Sequence, residues 1–164
     1  MSPSAGRIVA FAVTIFIVTM GIYYLSHDSG DPLVLPILPE GFYLPIITVQ
    51  GSPVSVMIAD TEKERAKGLS GRKPLSPREG MLFIFDKDDR YGIWMRDMKF
   101  AIDVIWIDAK GTIVDIKHHV TPESYPEVFT SKEPARYILE VSADYTDIRN
   151  ITEGGFVNLS AVGR

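Results

Sequence analysis

The chain has 164 residues, a formal net charge of −4 at pH 7 and no cysteine, which excludes disulfides, thiolate catalysis and cysteine-ligated zinc. Basic and acidic residues are interspersed, so the sequence lacks the basic face that binds phosphate backbones. Neither a P-loop nor a dinucleotide-binding glycine pattern occurs. We therefore expect neither nucleic acid nor a nucleotide as a partner.

The first predicted element is a membrane anchor over residues 7–26. Residues 8–25 contain no charge and no proline, and a transmembrane helix needs about 20 mostly apolar residues. Arg7 precedes this stretch, whereas no Lys or Arg follows it before Lys63. This asymmetry favours a cytoplasmic N-terminus over residues 1–6. A cleaved signal peptide is the alternative, but its apolar region usually has only about 7 to 15 residues.

The rest of the chain divides into a linker and one domain. Residues 27–41 contain three prolines and two glycines, a composition typical of an extended, semi-rigid stalk. Residues 42–164 are enough for a single domain with one core. Because this domain follows the anchor, we expect it to lie outside the cytoplasm, on a single-pass membrane protein.

Strand patterns dominate the predicted domain, and they indicate a mostly antiparallel β-sandwich or barrel. One helix is predicted to begin at a capping box formed by Thr61 and Glu64 and to end near Gly68. A second, short helical turn is predicted near Ser76. A tight turn is predicted at 108–111, where glycine supplies a positive φ. The strand-like runs are residues 43–50, 53–59, 81–85, 91–95, 101–108, 112–119, 136–142 and 156–161.

Several sequence strings resemble a known family, domain of unknown function 192, over about residues 54–159. In chain order the strings are ADTEKERAKGLSGR (59–72), EGMLFIF (79–85), WMRDMKFAIDVIWID (94–108) and PARYILEV (134–141). The resemblance implies a compact, mainly β, jelly-roll-like domain, often behind a signal or anchor, and it implies no agreed activity. Where the family usually has an Asn-Thr pair and a proline, this chain has Asp97, Met98 and Ala101.

Asp103 has an unusual position, because strand alternation places it among apolar residues whichever face is inward. A desolvated carboxylate must form an ion pair, accept several hydrogen bonds or raise its pKa. Arg72 and Arg136 are candidate partners. Two interpretations stay open: a structural ion pair, or a ligand-binding carboxylate in a cleft.

Metal and hydrolase motifs are incomplete. His118 and His119 are neighbours in a predicted strand, so they should point to opposite faces and not chelate one ion. HExxH is also absent, and we expect no metal and no cofactor.

The hydrolase motif G-x-S-x-G is incomplete as well, because Arg72 stands where this motif around Ser70 would need glycine. The carboxylates that could form a glycosidase-type acid and base pair are Asp97, Asp103, Asp108 and Glu140.

Aromatic and charged residues concentrate in the signature strings. Trp94 or Trp106 beside these charges would form a platform for an envelope glycan or peptide, unless both belong to the core. The candidate ligand-binding residues are Arg72, Trp94, Met95, Arg96, Asp97, Asp103 and Arg136.

The function expected from the sequence is a non-catalytic binding or accessory module of the cell envelope, anchored in the membrane. One alternative is a carboxylate-dependent hydrolase acting on an envelope polymer. The other is a structural domain that holds a partner protein.

Overall fold

The structure is a computed structural model, and it describes residues 44–163. The predicted cytoplasmic N-terminus (1–6), anchor (7–26) and stalk (27–41) lie outside the described residues and stay predictions. Within residues 44–163, no helix is both long and apolar enough to cross a membrane.

The described residues form a mainly β domain, as the sequence predicts, with two short α-helices, of which the first is predicted and the second is not. The second helix predicted near Ser76 is not formed, and a turn leads there into β3. The strands are β1 (Ile46–Val49), β2 (Ser52–Ala59), β3 (Glu79–Asp89), β4 (Gly92–Ile93), β5 (Ile102–Ile107), β6 (Ile113–Val120), β7 (Phe129–Thr130), β8 (Ala135–Ser142) and β9 (Val157–Asn158). The helices are α1 (Glu62–Lys67) and α2 (Tyr145–Ile148), and 3₁₀ turns occur at Pro122–Ser124 and Ser160–Val162.

Most strands belong to one seven-stranded sheet with the order β6-β5-β8-β3-β2-β1-β9, while β4 and β7 form a separate two-stranded sheet. Neighbouring strands are antiparallel except β2 and β3, which are parallel. The expectation of an antiparallel fold is therefore wrong at this pair. Parallel strands need a crossover connection, and α1 with the loop after it provides one.

The large sheet curls until its two edges meet. Thr112, just before β6, forms a bridge with Phe156, just before β9. The N–H of Val157 also donates to the carbonyl of Gly111 at 2.8 Å. Gly111 has a φ of +86°, and a Cβ there would lie 2.6 Å from the Val157 carbonyl oxygen, so this junction requires glycine.

The curled sheet is buried on both faces. Strand β5 shows this most clearly, because Ile105 and Ile107 belong to the inner core whereas Val104 and Trp106 belong to an outer apolar layer. Residues Leu69, Ile93 and Met95, which come from the chain after α1 and around β4, cover that outer layer. The outer members are Ala59, Leu69, Met81, Phe83, Ile93, Met95, Ile102, Val104, Trp106, Val120, Ala135 and Ile138.

Two local structures predicted from the sequence are formed, the capping box of α1 and the tight turn at 108–111. The Thr61 hydroxyl accepts from the Glu64 N–H at 3.2 Å, and the Glu64 carboxylate accepts from the Thr61 N–H at 3.1 Å, which completes the capping box of α1. Helix α1 then ends at Gly68. At the predicted tight turn, the N–H of Gly111 donates to the carbonyl of Asp108 at 3.1 Å.

Asp103 is completely buried, and its carboxylate accepts four hydrogen bonds. The backbone N–H groups of His119, Asp144 and Thr146 donate at 2.8, 3.2 and 2.9 Å, and the Thr146 hydroxyl donates at 2.6 Å. These donors come from the end of β6 and from the start of α2. The carboxylate therefore holds these two chain segments together.

The expected ion pair between Asp103 and an arginine is not formed. Arg136 donates instead to the Asp88 carboxylate, with 2.7 Å between Nε and Oδ1, and Arg72 is exposed in the loop after α1. Backbone donors at a chain reversal satisfy Asp103 without a guanidinium. Hydrogen bonds take the place of the predicted ion pair, and a ligand-binding role for Asp103 stays a prediction.

We predict that Asp103→Asn destabilises the domain by about 1 to 3 kcal/mol, because an amide nitrogen would face buried donors and leave them unsatisfied. Chemical denaturation followed by tryptophan fluorescence measures this loss. Asp97→Asn is the control, since Asp97 is exposed and Asn tolerates its φ of +58°. A change below about 1 kcal/mol for Asp103→Asn would show that the hydrogen bonds contribute little.

Candidate functional site

A pocket of about 290 Å³ opens on the outer face of the large sheet, beside α1. Its rim carries the charged residues Glu62, Arg65 and Lys67 of α1. Glu140 of β8 also lines it. The apolar and aromatic lining residues are Leu69, Phe83, Phe85, Tyr91, Ile93, Trp94 and Met98.

Strand pairing explains how Glu140 comes to lie in this pocket. Along β8, Leu139 and Val141 belong to the inner core, so Glu140 faces the outer layer together with Ile138. Glu140 is paired with Met81 of β3 on one side and with Val104 of β5 on the other. Both neighbours belong to the outer apolar layer, and the carboxyl group is therefore surrounded by apolar side chains.

The Glu140 carboxyl group is buried, and one of its two oxygens has no hydrogen-bond partner in the described part of the chain. Only 5% of the residue is exposed, and Oε2 has no hydrogen-bond partner within residues 44–163. Burial raises the pKa of the Glu140 carboxyl to about 8. At neutral pH the group is therefore mostly protonated, and it can either donate or accept a hydrogen bond.

Stacked aromatic rings form one wall of the pocket. The rings of Phe85 and Tyr91 stack with centroids 3.6 Å apart and an interplanar angle of 8°. The guanidinium of Arg65 lies 5.1 Å from the centroid of Phe85. Its Nη1 also donates to the carbonyls of Asp60 and Ile84, the latter at 2.8 Å, and these bonds hold α1 against the sheet.

Trp94 contributes the most exposed aromatic surface of the pocket, with 43% of the residue accessible to solvent. The Arg96 guanidinium lies 5.5 Å from the centroid of the indole. The carbonyl of Arg96 accepts a hydrogen bond from the Ser70 hydroxyl at 2.8 Å. Of these two predicted residues, Trp94 lines the pocket, and Arg96 lies over its ring without lining the pocket itself.

The neighbouring predicted residues support this arrangement from outside the pocket. Met95 is buried in the outer layer, and its carbonyl accepts from the N–H of Met98 at 3.2 Å. Asp97 has a φ of +58°, and its carbonyl accepts from the N–H of Gly71 at 2.9 Å. Arg72 follows in the same loop. These residues shape the turn that positions Trp94.

The other two predicted residues lie elsewhere, and one residue was missed. Asp103 belongs to the hydrogen-bond network at α2, and Arg136 pairs with Asp88; neither lines the pocket. Glu140 was considered only as one of several acids. The signal that could have found it is the carboxylate in the apolar run YILEV, to which the alternation argument made for Asp103 applies equally.

Both adjacent histidines contact the segment around α2. The Nδ1 atom of His118 lies 2.9 Å from the Thr146 hydroxyl, and that of His119 lies 2.9 Å from the Asp144 carboxylate. The hydrogen bond to Asp144 raises the pKa of His119. Regular alternation of side chains along β6 fails at this point because His119 has a φ of +50°.

No group of three or more His, Cys, Asp or Glu residues in the described part is placed to hold a metal ion, and the absence of a metal stays a prediction.

The chain belongs to the domain of unknown function 192 family (DUF192), described as an uncharacterized ACR, whose model matches residues 45–159. A search of curated proteins finds no match.

Solved structures share the fold. The chain is similar to a proposed transcription regulator from Sinorhizobium meliloti 1021, with 25% identity, a TM-score of 0.67 and coverage of 73% of this chain and 96% of that one. It is equally similar to a protein of unknown function from Novosphingobium aromaticivorans DSM 12444, with 25% identity, a TM-score of 0.67 and coverage of 80% and 94%.

We predict that Glu140→Gln changes how stability depends on pH. The pKa of Glu140 is raised from 4.5 to about 8 in the folded state, so the folded protein holds this proton where the unfolded chain has lost it. Wild-type stability should therefore fall by up to about 1.4 kcal/mol per pH unit as pH rises from about 4.5 to 8. The variant should lack this contribution and be several kcal/mol more stable than wild type at pH 8.

Denaturation of the full chain at a series of pH values measures the effect. Glu127→Gln is the matched control, because Glu127 is exposed and lies outside the pocket. Parallel stability curves for Glu140→Gln and wild type would show that Glu140 is not desolvated.

Proposed function

We propose that this protein is a membrane-anchored binding module of the cell envelope, whose domain takes a fragment of an envelope polymer into the Glu140 pocket. The observation that carries the proposal is the buried Glu140 carboxyl, which lines a pocket and whose Oε2 lacks a hydrogen-bond partner within residues 44–163. Uncompensated burial of a polar group lowers stability. Such a group is typical of a functional site, since a bound ligand provides the missing hydrogen bond.

The walls of the pocket support a ligand with a flat or ring-shaped part. Trp94 and the Phe85–Tyr91 pair offer aromatic faces, and Leu69 and Ile93 add apolar surface. Sites for small organic ligands combine such walls with a small number of placed polar groups. Sugar rings and peptide side chains both fit this description.

The location in the envelope rests on the sequence. The uncharged residues 8–25, the Arg7 flank and the absence of further basic residues before Lys63 favour a single-pass protein with the domain outside the cytoplasm. An envelope polymer is then the class of ligand that the domain would meet.

A second candidate function, a hydrolase of an envelope polymer, is favoured by a second carboxylate in the same pocket. Glycosidase chemistry needs a carboxyl that keeps its proton at neutral pH and another carboxylate across the scissile bond. Burial raises the pKa of Glu140 to about 8, which suits the general acid that protonates the leaving group. Glu62, on the exposed rim, is the second carboxylate. New reducing ends formed by wild type, but not by Glu140→Gln, would favour this function.

We predict that peptidoglycan fragments released by a muramidase change the tryptophan fluorescence of the full chain in detergent. Trp94 lines the pocket, whereas Trp106 is 1% exposed and its indole N–H donates to the Tyr91 carbonyl at 3.3 Å. The change should persist in Trp106→Phe and be lost in Trp94→Phe. No change at millimolar fragment concentration, or a change that survives Trp94→Phe, would contradict the proposed function.

A further inference from the structure

We infer that the group bound at the base of this pocket is a primary ammonium, carried by a ligand whose remaining part is neutral or anionic. This inference rests on the proposed function and specifies the class of ligand that the same pocket takes. It depends on the position of Glu140, on the aromatic walls and on the charges of the rim.

The unpartnered oxygen of the Glu140 carboxyl favours a ligand that donates hydrogen bonds. Oε2 of Glu140 is buried and has no hydrogen-bond partner within the described residues, and its strand neighbours Met81 and Val104 are apolar. We expect the missing partner to come from the ligand, and it must be a donor if the carboxyl is ionised. A charge-assisted bond from an ammonium is about twice as strong as a neutral one, especially in a site that excludes water.

The aromatic walls of the pocket attract cations. Aromatic faces attract positive charge, and two rings that line the pocket already have a guanidinium over them. Arg65 lies over Phe85 at 5.1 Å, and Arg96 lies over Trp94 at 5.5 Å. Tyr91 stacks on Phe85 and adds a further aromatic ring to the same wall.

The rim limits which ammonium ligands fit. Besides Glu140, the charged or titratable groups that line the pocket are Glu62, Arg65, Lys67 and Tyr91. Arg65 and Lys67 outnumber Glu62, so the entrance carries net positive charge. A polyamine would be repelled there most strongly, a ligand with one ammonium on a neutral body less so, and a ligand whose anionic group offsets its ammonium least.

Proton release follows from this mode of binding. Burial raises the pKa of Glu140 to about 8, so at pH 6.5 the carboxyl is protonated before binding. An ammonium stabilises the carboxylate, and the Glu140 proton passes to the buffer when the ion pair forms. Binding of one ligand should therefore release close to one proton.

The test uses the full chain in detergent micelles and two matched pairs of probes. Glucosamine and Nα-acetyl-lysine each carry one ammonium, and N-acetylglucosamine and Nα,Nε-diacetyl-lysine are their uncharged counterparts. Calorimetry at pH 6.5 in two buffers with different ionisation enthalpies gives both the affinity and the number of protons released. The two pairs distinguish a sugar from a peptide as the source of the ammonium.

We expect at least one ammonium probe to bind tenfold or more tightly than its acetylated counterpart, with release of close to one proton. Glu140→Gln should lose both the preference and the proton release, whereas Glu127→Gln should keep them. Equal affinity for amine and acetylated probes, binding without proton release, or no binding of either amine would overturn the inference. If peptidoglycan fragments still change the Trp94 fluorescence in the same preparation, the proposed function stands without it.

Discussion

The pleat of β8 imposes the constraint on which the candidate site depends. This strand lies between β5 and β3 in a sheet that is buried on both faces, so every side chain along its middle enters one of two apolar layers. Leu139 and Val141 fill the inner core, and the residue between them must face the outer layer. That residue is Glu140. A carboxyl group is thereby placed beneath α1 and the segment around Trp94, where it lines the pocket.

Two of the three buried carboxyl groups in the described domain, Asp103 and Glu140, show what distinguishes a structural acid from a candidate functional one. Asp103 accepts four hydrogen bonds and joins β6 to α2. Oε2 of Glu140 has no partner in the described part of the chain, and burial raises the pKa of the group to about 8. Asp103 stabilises the fold, whereas Glu140 destabilises it as pH rises toward 8. A residue that lowers stability without a local compensating contact is expected at a functional site.

Local features of the fold could be predicted from the sequence, and features that depend on distant partners could not. The capping box of Thr61 and Glu64 formed because both groups lie within one helical turn. The parallel pairing of β2 with β3 was missed, because alternation shows which face a side chain occupies and not which strand lies beside it. Helix α2 was missed because it has four residues and its N-cap, Asp144, makes no side-chain capping bond. In the site, the predicted residues Trp94 and Arg96 are in contact, and their role in binding stays a prediction. Finding Glu140 required knowledge of what covers the outer face of β8.

The central claim is that Glu140 is a desolvated carboxyl group that a ligand reaches through the pocket. Carbon-13 NMR of glutamate side-chain carboxyl carbons in the full chain, with Glu140→Gln used for assignment, measures its titration directly. The account predicts that Glu140 titrates near pH 8 in the free protein and at clearly lower pH when glucosamine is added. Titration of Glu140 near the ordinary value of 4.5 in the free protein, unaffected by glucosamine, would contradict it.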